Sequence, residues 1–311
     1  MSHDNQLATL LQASLVADSL ALPVNWIYDP EAIAGGVGRL TDIIAPPASS
    51  YHAGQPAGGQ THHGEQALVL MDSLADRHAF AGDVFIARWQ AWWGHAKSYR
   101  DGATKATLAN LAAGASPLDA GSESADLGGA SRLAPLIVAM AQATEAELVM
   151  AARAQTAITH RAPAAIDAAA FIVRAVRAVL AGAAVPEALA AAAEARYAGL
   201  SIDKHLKAAL ATVGQDVTAS VQALGPGCPV GGALPGAMAV ALAYPNDLEG
   251  ALIANAMAAG DSAARGLFLG MLLGAVPGAA VPERWLLRWL ARQQVADFLA
   301  AQGVSSVPTG H

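Results

Sequence analysis

The sequence predicts an all-α protein, and three observations carry that reading. Of its 311 residues 54% are hydrophobic, and much of that share is alanine, the strongest helix former and small enough to let helices approach closely. Apolar residues recur at helical spacing along nearly the whole chain, with no convincing strand alternation. The breaks between periodic runs fall at glycine and proline. The expected architecture is a compact orthogonal multi-helix bundle. One domain over residues 1–311 is expected, because no charge run, linker or internal repeat marks a boundary.

The first helix runs through Leu7, Leu10, Leu11, Leu15 and Leu20, carries Ala17-Asp18-Ser19-Leu20 near its end, and is closed by Pro23. Residues 29–60 then turn to Gly, Pro, Ala and Ser with little periodicity, a length that in a compact domain marks a functional cover or a disordered loop. A strongly apolar helical run, 66–74, follows. Further helices are expected around 83–99, 103–113, 131–141, 144–156, 164–180, 186–198, 202–213, 235–244, 247–258, 266–275 and 282–301. Trp89, Trp92 and Trp93 have the spacing of a packing stripe on one of these helices. The turn-rich stretch 115–129 is a second candidate rim loop.

A net charge of −7 excludes a general nucleic-acid surface, which needs a basic field. Arg174 and Arg177, like Arg284, Arg288 and Arg292, sit at helical spacing and read as solvated helix faces. The single cysteine, Cys228, has no internal partner, which points to a reducing compartment. Residues 1–12 show no basic segment followed by an apolar one, so a cytoplasmic location is expected. The apolar run 266–281 is shorter than the roughly twenty residues a bilayer requires, and it contains four glycines and a proline. It reads as a buried helix with its exit loop, and no membrane partner is expected. A small-molecule substrate is the partner this composition leaves open; it does not set the oligomeric state.

Two segments concentrate the chemistry. Thr61-His62-His63-Gly64 and Gly260-Asp261-Ser262-Ala263-Ala264 each stand just before an apolar helical run. Around them, four further segments follow in order along nearly the whole chain. Residues 13–23, Ala-Ser-Leu-Val-Ala-Asp-Ser-Leu-Ala-Leu-Pro, look like the opening Gly-Ala-x-x-Gly-Asp-x-Leu-Gly-x-Pro of a known family; Ser131-Arg132-Leu133-Ala134-Pro135 is similar to its Met-Arg-x-Ala-Pro. Thr159-His160-Arg161-Ala162-Pro163 matches its Thr-His-x-x-Pro turn, and residues 251–275 have the rhythm of its closing helix pair. In that order they resemble the ADP-ribosylglycohydrolase family, the DraG-like, all-helical hydrolases that also include jellyfish crystallins.

The resemblance implies two divalent cations, magnesium or manganese, held between a Thr-Asp-Asp motif and a Gly-Asp-x-Asp-Thr motif. Here Thr61 and Asp261 match, His62 and His63 stand at the two adjacent aspartates, and Ala263 and Ala264 stand at the second Asp and the Thr. Asn25 occupies the position of an acidic residue that the family associates with catalysis. Hard cations need several carboxylates between them, so the dinuclear centre is not expected in this chain.

Two arrangements of the remaining groups are open. One is a metal-free acid–base site using His62 or His63 with Glu65 or Asp261, since imidazole titrates near neutral pH and a carboxylate orients it. The other is a single transition-metal ion on His52, His62 (or His63) and Asp261, imidazole being a preferred ligand for zinc. Neighbouring histidines on a helix diverge by about a quarter-turn or more, so both are not expected on one ion.

Asp18, Asn25, His52, Thr61, Asp126, Ser131, Arg132 and His160 are the candidate substrate-binding residues. Each also has a structural reading: Asp18 as a buried anchor, Ser131 as a helix cap, His160 as a partner for local backbone. The functional expectation is a divergent hydrolase cleaving an N-glycosidic or other carbon–nitrogen bond of a small, ribosyl-type substrate. The alternative is a non-catalytic descendant with a ligand-binding or crystallin-like structural role.

Overall fold

The computed structural model describes residues 2–305. Its central contact joins the first helix, His3–Ala21, to the helix Ser262–Gly274, which is buried along its whole length. Gly266, Gly270 and Gly274 recur every fourth residue and so share one helix face. A Cβ on Gly270 would stand 2.4 Å from the Ala13 carbonyl oxygen, and one on Gly274 2.7 Å from Leu10 Cα. The two backbones therefore touch, and any side chain on that stripe would force them apart. Ser14 Oγ donates to the Leu267 carbonyl at 2.9 Å and Gln6 Nε2 to that of Ala275 at 2.7 Å, which locks the antiparallel register. That register brings the end of the first helix to the start of Ser262–Gly274.

The other helices pack around this pair. Pro163–Leu180 lies against Glu145–Ala157, and Val230–Ala243 and Leu248–Met257 lie against Ser262–Gly274. His62–Ser73 packs on Gly82–Trp93, where Trp89 and Trp93 are buried as the tryptophan stripe implied. No strand occurs among the described residues, only isolated bridges pairing Ser122 with His160 and Asp126 with Pro229. The all-helical expectation holds. No helix there is long and apolar enough to cross a membrane.

Local chemistry explains where the elements differ from expectation. The 29–60 stretch contains a helix, Pro30–Val37, started by Asp29 accepting from Glu31 N–H at 2.9 Å with proline in its first turn. Val217–Leu224 is a further short helix, capped by Asp216, that weak periodicity had hidden. The expected 131–141 helix is two pieces, Gly128–Ser131 and Ala134–Ala139. Pro135 lacks an N–H and its ring would meet the carbonyl of Ser131 in a continuous helix. The 282–301 helix also divides, into Glu283–Arg288 and Arg292–Ala301. At the break Leu290 N–H donates to the Gly58 carbonyl at 3.0 Å, tying the long loop to the C-terminal region.

Candidate functional site

The site forms where helix starts and turns meet at the end of the central pair. Thr61 caps His62–Ser73: its Oγ1 accepts from His63 N–H at 3.1 Å and donates to Asp18 Oδ1 at 2.5 Å. Asp18 also accepts from the backbone N–H of Thr61 and Gly64, at 2.7 and 3.1 Å. Any Cβ at residue 64 would strike that carboxylate at 2.3 Å. Asp261 caps the other helix through Ala264 N–H at 3.3 Å, and Asn25 Oδ1 accepts from Ala263 N–H at 3.0 Å. Trp26, a bulky residue at φ 67°, donates its N–H to Gly260 O at 2.8 Å, and Gly260 N–H donates to the carbonyl of the next residue, Ile27, at 2.6 Å. Left-handed backbone at a tryptophan is strained and needs such support.

From these starts the side chains converge. The rings of His62 and His63 lie 3.8 Å apart by centroid, and His52 stacks on His62 at 5.6 Å and 17°. His62 Nε2 is 3.4 Å from Asp101 Oδ2, and His63 Nε2 is 3.5 Å from Asp261 Oδ1. Asn25 Nδ2 reaches His52 Nε2 at 3.4 Å. Trp26, Tyr51 and Tyr99 meet edge to face above His62, the Trp26 ring 4.8 Å from it, and roof the cluster. Below it the backbone is bare: a Cβ on Gly128 would come within 2.6 Å of the His63 ring, and one on Gly129 within 2.6 Å of His160. Trp26 Nε1, both ring nitrogens of His62, His63 Nε2, His160 Nε2 and Asp261 Oδ2 are buried without a well-formed hydrogen bond. Such groups are rare in a folded interior and call for an explanation.

The electrostatics divide the histidines. Burial and the neighbouring His63 hold His62 below the usual imidazole range. Burial is the largest influence on His63 and opposes its charge, but Asp261, Asp101 and Asp18 together outweigh it and raise the imidazole above its usual range. Burial lowers His52 and His160 to about 3 each. Asp101 and Asp261 resist the pull of burial because a histidine faces each, and both sit below the ordinary carboxylate range. Burial, with the charge of Asp261 second, pushes the Cys228 thiol well up, so it is not an activated nucleophile.

Several candidates lie elsewhere than expected. Glu65 meets neither histidine; its Oε1 accepts from Gln55 Nε2 at 3.2 Å, and it borders a separate cleft of about 540 Å³ with Leu68, Asp72, Arg88 and Trp92. One turn down the helix from His62, its side chain leaves on the outer side. Ser131 neither faces the cluster nor caps a helix; its Oγ donates back to the Gly128 carbonyl at 3.2 Å within its own short helix. Arg132 is not on a rim: it is buried, donating to Gln66 Oε1 at 2.8 Å and to Thr159 Oγ1, with Phe85 under its guanidinium. Asp18 and Thr61 have their hydrogen bonds filled by the helix start. His160 Nδ1 pairs with Thr159 Oγ1 at 2.8 Å, and its Nε2 is buried without a partner. Burial raises the Asp126 carboxyl and the charges of Asp261 and Asp101 add to the rise, while its backbone is held by Ser124 Oγ at 3.1 Å.

Sequence reasoning missed Asp101, Trp26, Tyr51 and Tyr99. Asp101-Gly102 before a helical run is an N-cap signature, and Asp101 does cap, Oδ1 accepting from Thr104 N–H at 2.6 Å. Nothing local says that its second oxygen faces His62. The divergence expected of adjacent histidines also fails. At the first helical turn side chains lean back past the helix end, so both rings enter one space.

A magnesium or manganese pair calls for oxygen ligands with several carboxylates between the ions. At the two motif positions stand imidazoles and the methyl groups of Ala263 and Ala264, and Asp261 Oδ1 is engaged by Ala264 N–H and His63. These residues do not fit a dinuclear hard-cation centre. Nor do His52, His62 and Asp261 form the tightest donor group. That group is His62, His63 and Asp101, whose ligand atoms lie within 4.8 Å of one another.

The comparisons with known proteins agree with this frame. A solved structure described as an ADP-ribosylglycohydrolase-related protein complex is 26% identical, covers 97% of this chain and 99% of its own, and superposes with a TM-score of 0.74. No curated protein matches the chain. The family model for ADP-ribosylglycohydrolase matches residues 3–307. Matched from its first helix to its last and built on the same helical frame, the chain belongs to the ADP-ribosylglycohydrolase family.

Proposed function

We propose that the protein is a hydrolase that cleaves an N-glycosidic or other carbon–nitrogen bond of a small, ribosyl-type substrate without a dinuclear magnesium or manganese centre. The observation that carries this reading is the buried cluster of polar side chains with unfilled hydrogen bonds, set in an otherwise alanine-rich core. Natural interiors pair such groups unless a ligand or water uses them. Breaking a carbon–nitrogen bond with water requires a proton for the departing nitrogen and an activated water at carbon. Imidazoles and carboxylates facing a shared space supply groups for both, and His62, His63, Asp101 and Asp261 are the residues assigned to the chemistry. Asn25 and His52 stand against the cluster and, with Asp126 and His160, are the residues assigned to binding, and the aromatic roof suits a planar nitrogen-bearing leaving group. The lone cysteine, Cys228, suits a reducing compartment, and the enzyme is read as cytoplasmic on that ground.

The test is a panel of N-ribosyl compounds, with release of reducing sugar and of the nitrogen base followed chromatographically. Turnover of at least one member, lost in His63→Ala, is expected; ADP-ribosyl-arginine, ADP-ribosyl-serine and poly(ADP-ribose) are expected to remain intact. Magnesium-dependent turnover of those three substrates would sink the reading. One observation favours a second reading, a ligand-binding or structural descendant: His52, His62, His63 and Asp261 are each at most 4% exposed. Calorimetric ribosyl binding with no turnover of any panel member would select it.

A further inference from the structure

We infer that His62, His63 and Asp101 form a site for one zinc-like transition-metal ion, whose fourth position would be taken by water. The inference rests on the hydrolase reading of this cluster and names the group that would activate water there. Three protein ligands and an open position are the arrangement of catalytic zinc sites.

The geometry is close to what such an ion needs. Zinc bonds of about 2.0–2.2 Å put donor atoms on a tetrahedral ion roughly 3.3–3.5 Å apart. His62 Nε2 and Asp101 Oδ2 stand 3.4 Å apart, and the ligand atoms of all three residues lie within 4.8 Å. The donors are also uncommitted. Asp101 gives Oδ1 to its helix cap and turns Oδ2 to His62 Nε2, and neither ring nitrogen of His62 has a well-formed hydrogen bond. Two imidazole nitrogens and one carboxylate select zinc, cobalt or a neighbour over magnesium, which prefers oxygen.

The surroundings hold the donors in place. Gly128 lets the His63 ring lie directly on backbone, and Asp261 sits 3.5 Å from His63 Nε2, able to orient that ring as carboxylates behind metal-binding histidines do. Trp26 and Tyr99 cover His62 from the solvent side. The substitution of two aspartates by histidines thus reads as an exchange of metal class rather than a plain loss.

The full-length chain, stripped with a chelator, would be titrated with zinc, cobalt and magnesium by calorimetry, and the visible spectrum of the cobalt form recorded. One zinc or cobalt per chain is expected, with a low-coordinate cobalt spectrum and no measurable magnesium binding. His62→Gln and Asp101→Asn should each weaken zinc by about 100-fold or more, and Asp261→Asn by about 10–100-fold, the usual cost of losing an outer partner. Asparagine caps a helix as well as aspartate, so the Asp101→Asn protein should melt like the stripped wild type. Two magnesium equivalents, no zinc at all, or zinc binding that survives both His62→Gln and Asp101→Asn would overturn the inference. Zinc bound without any carbon–nitrogen hydrolysis upholds the site and removes the hydrolase reading; full-rate hydrolysis by protein that binds no ion does the reverse.

Discussion

Arg132 and the His62–His63 pair are both buried polar centres that touch the first turns of one helix, yet they are built in opposite ways. Arg132 donates to Gln66 Oε1 at 2.8 Å and to Thr159 Oγ1, and with the Gln155 amide turned to suit both, its oxygen accepts from Arg132 Nε at 2.7 Å. Gln66 also accepts from Trp89 Nε1 at 2.8 Å and donates to the His62 carbonyl at 3.0 Å. That network is saturated. Around His62 and His63, polar atoms of the same depth are left without partners. A saturated network stabilises the fold and has no capacity left for a ligand, whereas an unsaturated one costs stability until something occupies it. The family resemblance implies a role near a substrate for both segments; the hydrogen bonding leaves unfilled capacity only at the histidines.

The largest expected effect is on chemistry. His63→Ala should lower carbon–nitrogen hydrolysis by about 10²- to 10⁴-fold, the usual weight of a group that supplies a proton or helps to activate water, while the melting temperature stays the same or rises, as at other functional polar sites. Unchanged turnover would place the histidines with the structural groups and dissolve the contrast.

Gln66→Leu attacks the other side of it. The change leaves two buried donors unpaired, Arg132 Nη1 and Trp89 Nε1, at about 1–3 kcal/mol each and more for the charged one. A loss of about 3–5 kcal/mol in urea unfolding is expected; a loss under about 1 kcal/mol would mean the network is not the stabilising element claimed.

Gly128→Ala sharpens the comparison by moving one ring. The new methyl would stand 2.6 Å from His63, so the ring must shift. Overpacking of this kind costs about 1–3 kcal/mol, and zinc affinity should fall along with stability. Zinc affinity equal to wild type in a destabilised protein would show that the His63 position is not set by this backbone.

The smallest effect concerns pH. Burial pushes Asp18 up to about 6 from 3.8, against the three donors that it accepts from. An acid raised in the folded state binds its proton more tightly there than in the unfolded chain. Its contribution is therefore fully present below about pH 4 and is lost as pH rises through about 6. Unfolding free energies at pH 4 and 7 should show a downward slope that Asp18→Asn flattens, and an unchanged slope in that variant would refute the assignment.

Much of the frame was legible because periodicity and caps are local signals. Asp29-Pro30 and Asp101-Gly102 announce helix starts in the chain itself, even where the surrounding loop composition hid the first of them. The breaks at Pro135 and at Trp289 to Ala291 were harder. The first needs a count back to the carbonyl of Ser131, and the second depends on a hydrogen bond from Leu290 to Gly58 that no local pattern contains. In the site, His62, His63 and Asp261 stood out as titratable residues at helix starts. Glu65 stood out for the same reason and points into a different cleft.

By itself the sequence determined the helical class, the family, and the presence of imidazoles where hard-cation ligands would stand, since these follow from spacing and residue chemistry within short segments. Only the tertiary structure decided which carboxylate each histidine meets. Asp101 and Asp261 are 39 and 198 residues from His62 and His63 along the chain, and they arrive through the antiparallel register of the glycine stripe and the meeting of helix starts. It also decided that Arg132 is a filled core group. The physical reason is that hydrogen-bond saturation belongs to the whole set of neighbours in space, and most of those neighbours are distant in sequence.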